Sequence, residues 1–327
     1  MLLCGFHPSR HIAMKTCPKC RSLYGNGYAV CPRDGTALVS APEWSEGSII
    51  RGKFRIISVL SERFTGHVYK ALHLKFDQLR ALWVIGWEEA ANQQFIELFA
   101  REAGVLSKLQ HANVERLEDL DESEDGRLFI VMEFVEGRSL EQVIKEEGPL
   151  PPWRVCSIAR QVAAGLGAAH SLGILHSDVQ PENIVLAGAP GAEIAKVADF
   201  CSVNLKRAWS ASDLECDGVL LVRPQYVSPE FIMFKDMDGR SDLYSLGVVM
   251  YQMLTQCLPF QADSMMQWIL ANLQNPPRPI QSVRPDLAIP DALSSLVMRC
   301  LEKNRDLRPA DAHELIREIE RVEKEFD

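Results

Sequence analysis

The sequence predicts an α+β chain of two lobes, rich in strands first and helical afterwards, behind a small cysteine-bearing head. Three observations carry this. β-rich runs crowd into the stretch up to Phe134. Apolar residues then recur at helical spacing from Leu140 onward. Three of the nine cysteines fall within residues 17–31.

Taken in order, residues 1–13 lack the apolar core of a signal peptide and precede a second methionine, Met14, so they are expected to be an extension without structure. Residues 14–40 are rich in Cys, Gly and Pro and read as a zinc-ribbon-like module; residues 41–50 read as a linker. The first lobe spans 51–135. In it Phe54–Leu60, His67–Leu72 and Ala81–Ile85 read as strands, residues 94–109 as a helix, and Val114–Leu120 and Leu128–Phe134 as two further strands joined by a polar turn at Glu124-Asp-Gly126. The acidic run Glu118–Asp125 is expected to be a solvated loop. The second lobe spans 136–327. Its expected helices include 152–172, opened by Pro151 and Pro152, an all-round apolar 242–254 that reads as buried, and an amphipathic 311–324.

The net charge of −9 argues against broad binding to nucleic acid or to an anionic membrane. An odd, scattered set of cysteines argues against a secreted disulfide framework, and no run of about 18 apolar residues predicts a membrane span. A cytoplasmic protein is the expectation.

The first chemical signal is Cys17-x-x-Cys20 with Cys31-Pro-Arg-Asp34. Two knuckles of this kind aim soft thiolates at one point, which suits structural Zn²⁺. Asp34 stands where many ribbons place a fourth cysteine. The fourth ligand is therefore Asp34 itself or one of Cys4, His7 and His11. A module this small needs such a staple to hold together.

Residues 51–320 resemble a protein kinase catalytic domain of the bacterial serine/threonine type. The residues that carry the resemblance are Ile130-Val-Met-Glu-Phe-Val135, His176-Ser-Asp-Val-Gln-Pro-Glu-Asn183, Asp199-Phe-Cys201, Ser228-Pro-Glu230, Asp242 in Gly-Arg-Ser-Asp-Leu-Tyr-Ser-Leu-Gly, and Arg308 in Leu-Arg-Pro-Ala-Asp-Ala. The resemblance implies a two-lobed kinase-like fold. It makes Asp178 the carboxylate that accepts the substrate hydroxyl proton, and Asn183 and Asp199 the oxygen ligands of Mg²⁺. It places ATP against Val68, Ala81, Met132, Glu133, Val135 and Val185, makes Glu102 the helix partner of a phosphate-gripping lysine, and pairs Glu230 with Arg308. Leu106, Leu117, His176 and Phe200 resemble the apolar stack that couples the lobes.

The departures from the family's pattern decide the functional expectation. Ser61 and Arg63 stand at two of three glycine positions in the loop that should approach phosphates, leaving Gly66. Trp83 stands where the lysine belongs, Gln180 replaces a second lysine, Ser177 an arginine and Cys201 a glycine. The expectation is a pseudokinase that binds a protein partner or partner kinase, with ATP and Mg²⁺ weak or absent. The alternative is a slow kinase in which Arg63, Lys70 or Lys75 supplies the missing cation, Arg63 first among them. His111 and His170 are expected to be structural, and Ser210 and Ser212 ordinary solvated loop serines.

Overall fold

The computed structural model describes residues 15–17, 19, 23–24, 28–40, 44–63, 65–200, 223–233 and 235–325. It divides into two compact units, Met1–Gly104 with Leu117–Phe134, and Val105–Arg116 with Val135–Asp327.

The first unit begins with a three-stranded antiparallel sheet in the head. Its strands are β1 (Lys15–Thr16), β2 (Leu23–Tyr24) and β3 (Val39–Ser40), in the order β2-β1-β3. A six-stranded antiparallel sheet follows, made of β4 (Ile49–Ile50), β5 (Phe54–Arg63), β6 (Gly66–His73), β7 (Gln78–Ile85), β8 (Leu117–Glu122) and β9 (Leu128–Glu133), in the order β4-β5-β6-β7-β9-β8. Helices α1 (Trp87–Ala90) and α2 (Gln93–Leu106) follow β7.

Alternation along β7 sets the faces. Leu82 and Val84 join Phe54, Tyr69 and Phe129 in a core cluster, while Ala81, Trp83 and Ile85 take the other parity. Asn92 starts α2 by accepting a hydrogen bond from the Phe95 amide at 3.1 Å.

Some expectations are corrected. Four residues of helix, α1, precede α2. Most of the acidic run Glu118–Asp125 lies in strand β8, where Asp121 is held by Lys53 at 3.1 Å and Arg51 at 3.6 Å. Val114 belongs with the second unit, where it bridges Val197, and does not open β8. Within the stretch read as a linker, Trp44 and Ile50 are buried in the sheet's core cluster.

The second unit is helical, with one small antiparallel sheet of β10 (Arg138–Ser139), β11 (Ile184–Ala187) and β12 (Ile194–Val197). Its helices are α3 (Leu140–Glu147), α4 (Pro152–Ser171), α5 (Pro229–Ile232), α6 (Gly239–Thr255), α7 (Met265–Gln274), α8 (Ile280–Val283), α9 (Asp291–Cys300) and α10 (Ala312–Glu323). Ser139 and Gln142 close a reciprocal capping box on α3. Pro152 starts α4, and Asp311 caps α10 by accepting from Glu314. Helix α6 is buried from Ser241 through Tyr251, which explains its all-round apolar sequence, and it packs against α4 and α9. No helix among the described residues is long and apolar enough to cross a membrane.

Candidate functional site

In the helical unit the loop from His176 to Asn183 is shaped by one buried carboxylate. Asp242, on the first turn of α6, accepts from the His176 amide at 2.9 Å and the Ser177 amide at 2.8 Å, and lies 2.7 Å from His170 Nε2. Burial alone would push this carboxyl up; the hydrogen bond and charge of His170, with His176, outweigh burial and hold it below the usual carboxylate range. Ser177 takes a left-handed φ of 62°, so the chain reverses there. His176 Nε2 meets the Ala198 carbonyl at 2.8 Å, and its ring packs on Phe200 at 4.5 Å between centroids.

That scaffold brings Asp178 and Asn183, two of the expected catalytic residues, together. Asn183 Nδ2 donates to the Asp178 carbonyl at 2.9 Å and lies 3.5 Å from its carboxylate. Gln180 Nε2 donates to Asp178 Oδ1 at 3.1 Å, so a neutral amide occupies the place expected to carry an ammonium. Asp199 sits just before Phe200 with φ of 69°, a conformation aspartate tolerates. Val185 lies half-buried on β11. Val135 begins this unit's second segment.

In the first unit Val68, Ala81 and Met132 are buried on β6, β7 and β9. Ala81 is the register neighbour of both Lys70 and Met132, and Glu133 faces Arg80. Trp83 is fully buried; its ring meets Phe99 of α2 edge to face at 5.3 Å. Glu102, one turn further along α2, lies 3.8 Å from Arg101. Lys70 places its ammonium 4.6 Å over the Phe134 ring. The Arg63 side chain lies outside the described residues, as does Cys201.

The hairpin that should approach phosphates is paired up to Arg63 and Gly66, with register shifts between Ile56 and Ser58 and between Val59 and Ser61. β5 runs to Arg63, with Ser61 opposite Val68 and Arg63 opposite Gly66. Gly66 has φ of 137°, and a Cβ there would sit 2.0 Å from the Val84 carbonyl oxygen. The sheet itself demands this glycine, whatever binds nearby.

In the head, Cys17, Cys31 and Asp34 bring their ligand atoms within 4.8 Å of one another, the two thiols buried. Cys17 Sγ lies 3.4 Å from Asp34 Oδ2, and Tyr24 Oη lies 3.1 Å from Cys31 Sγ. The Thr36 backbone amide donates to Asp34 at 3.0 Å, and that bond leads the contacts holding its carboxyl well below the usual range. Soft and hard donors on a tight loop fit a borderline cation such as Zn²⁺. Cys20 lies outside the described residues, as do Cys4, His7 and His11.

Sequence reasoning missed two arrangements. Arg127 is fully buried, with its guanidinium 4.1 Å from the Trp87 ring and 5.6 Å from that of Trp44. Arg223 reaches two carboxylates, Glu141 and Glu182. Neither has a periodic signal, because each depends on residues far apart in sequence.

Residues 58–319 match the family described as protein kinase domain. Serine/threonine-protein kinase pkn3 of Myxococcus xanthus is 36% identical over 287 residues, which cover 85% of this chain and 51% of that protein. Serine/threonine-protein kinase PknL of Mycobacterium tuberculosis is 32% identical over 283 residues, covering 86% of this chain and 68% of that protein. The chain thus spans about half the length of pkn3, and it spans 32% of its relative pkn2 from Myxococcus xanthus. A crystal structure of the Mycobacterium tuberculosis PknI kinase domain superposes with a TM-score of 0.64 at 27% identity, covering 85% of this chain and 99% of that one. By sequence and by fold, this chain belongs to the protein kinase domain family, among relatives named as bacterial serine/threonine kinases.

Proposed function

We propose that this serine/threonine kinase domain is a pseudokinase, a protein-binding module that makes weak use of ATP or none. The observation that carries the reading is Trp83. The position where the family keeps a phosphate-gripping lysine holds an uncharged ring that is fully buried against Phe99. Gln180 makes a second neutral replacement, its amide spent on Asp178. The one glycine retained in the phosphate-approaching hairpin is the one the sheet needs, while Ser61 and Arg63 fill the other two positions. Loss of one preorganised charge contact costs roughly 10²–10³ in rate, by analogy with oxyanion-hole donors. Two independent losses reach on the order of 10⁴–10⁶.

The test is phosphoryl transfer to a generic protein acceptor and to the chain itself, with Asp178→Asn as control. Turnover at the background set by that variant is expected. Robust transfer abolished by Asp178→Asn would defeat the proposal. A Mg·ATP thermal titration then asks separately whether nucleotide binds the native state.

A second reading, a slow active kinase, draws on the intact Asp178–Asn183 contact and on Asp199. In it Arg63 supplies the missing cation, so Arg63→Ala would abolish transfer that the wild-type chain performs.

For the head we propose a structural Zn²⁺ held by Cys17, Cys20, Cys31 and Asp34. The support is the convergence of three of these donors. About one zinc per chain is expected after purification without added metal. Zinc-free protein whose head amides stay protected from exchange would reject the site.

A further inference from the structure

We infer that Arg223 is a positioning residue that seats the chain segment running into Glu230 against the catalytic loop, by charge alone and with no phosphate. The sequence puts Ser177 where the family resemblance places an arginine that clamps a phosphorylated loop, so that means of fixing the segment is missing. Arg223 supplies one from the other side.

Its Nη1 donates to Glu141 Oε1 at 2.7 Å, and its Nη2 donates to Glu182. The two acceptors belong to different elements. Glu141 lies in the first turn of α3, and Glu182 in the turn Pro181–Asn183. Glu182 directly precedes Asn183, which bonds Asp178. One planar guanidinium thus ties the segment to α3 and to the turn that carries the loop's asparagine. A lysine's point charge is poorly shaped for this geometry.

The next residues are set by neutral contacts. Pro224 O accepts from Asn272 Nδ2 at 2.7 Å, and Tyr226 Oη donates to Gln252 at 2.7 Å. Val227, Ser228, Pro229 and Glu230 are buried beyond it. Arg223 itself is about one-third exposed, with both carboxylates more so. The tether is therefore salt-sensitive, which packing contacts are not.

The inference goes beyond the proposed loss of phosphoryl transfer and does not depend on it. Its test is amide hydrogen exchange on the full chain without nucleotide. The amides of Tyr226, Ile232, Met233 and Lys235, all bonded within this segment, are read in wild type, Arg223→Gln and Arg223→Lys at low and high salt. The expected result is roughly three- to ten-fold faster exchange in Arg223→Gln, the size two partly exposed ion pairs support. Arg223→Lys should fall between. Salt should speed exchange in wild type and leave Arg223→Gln unchanged. Equal exchange in all three chains, or a salt effect that persists in Arg223→Gln, would overturn the inference. Neither result bears on ATP turnover, so the two proposals fail separately.

Discussion

Trp83 of β7 and Phe99 of α2 meet edge to face at 5.3 Å, and both rings are fully buried. Phe95 extends the contact, its ring 6.2 Å from that of Phe99. Where the family joins this strand and helix by a lysine–glutamate pair, here the join is aromatic. An ion pair answers to charge and salt, whereas this contact answers to volume. Trp83→Ala and Phe99→Ala should each lower unfolding free energy by about 3–5 kcal/mol. A double-mutant cycle should return a coupling of about 0.5–1.5 kcal/mol. Full additivity in urea denaturation would mean that the two rings do not support each other.

Glu230 and Arg308 form a two-pronged ion pair, at 2.7 and 2.9 Å, with both side chains buried. Ser241 adds a hydroxyl donor to Glu230 at 2.6 Å. Breaking one side leaves an uncompensated buried charge, so Arg308→Ala should cost about 3–5 kcal/mol. Combining Arg308→Met with Glu230→Gln should cost less than the sum of the two single changes, because neither partner is then stranded. Chemical denaturation of the four chains reads this directly.

Lys303 lies among Tyr244, Phe260 and Arg308. Its ammonium donates to Tyr244 Oη at 3.1 Å. Burial, with the Arg308 charge beside it, pushes its pKa down to about 7 from 10.5. Between those values the unfolded chain holds a proton at this site that the folded chain lacks. Stability from this group therefore rises as pH climbs from about 7 toward 10.5, and it is penalised below. Lys303→Met should flatten that part of the stability–pH profile and raise the melting temperature more at pH 6 than at pH 9. The same increment at both pH values would show that Lys303 stays charged throughout.

How much of this was legible in the sequence follows from how each feature is encoded. The strands β5 to β7 and helices α4, α6 and α10 were readable because periodicity and caps are local. The motif from His176 to Asn183 was readable because its residues are contiguous, and Asp178, Asn183 and Gln180 do meet. Trp83 was flagged by its departure from the pattern, but its contact with Phe99 was not. That contact depends on how α2 lies on the sheet. The acidic stretch after Leu117 reads as solvated because the partners of Asp121, Arg51 and Lys53, lie more than sixty residues upstream. Arg127 was invisible for the same reason, since Trp44 and Trp87 come from other parts of the chain.

Arg127 supports the last prediction. Trp44 sits before the stretch that matches the kinase family, yet it is buried against Tyr69 at 5.4 Å and Phe129 at 5.5 Å. Arg127 lies over Trp44 and over Trp87, and Asp125 takes its charge at 2.9 Å. Burial works against the Asp125 carboxylate, but Arg127 outweighs it and holds the group below its usual range. The segment before β4 is thus part of this unit's core, and Trp44→Ala should cost about 3–5 kcal/mol, as for other buried large-to-Ala changes. Deleting residues 1–40 keeps Trp44 in place and should cost far less, about 0.5 kcal/mol or under, the scale of changes away from packed contacts. Urea denaturation followed by tryptophan emission compares the two. If the deletion is as damaging as Trp44→Ala, the head, and not Trp44, is what completes the lobe.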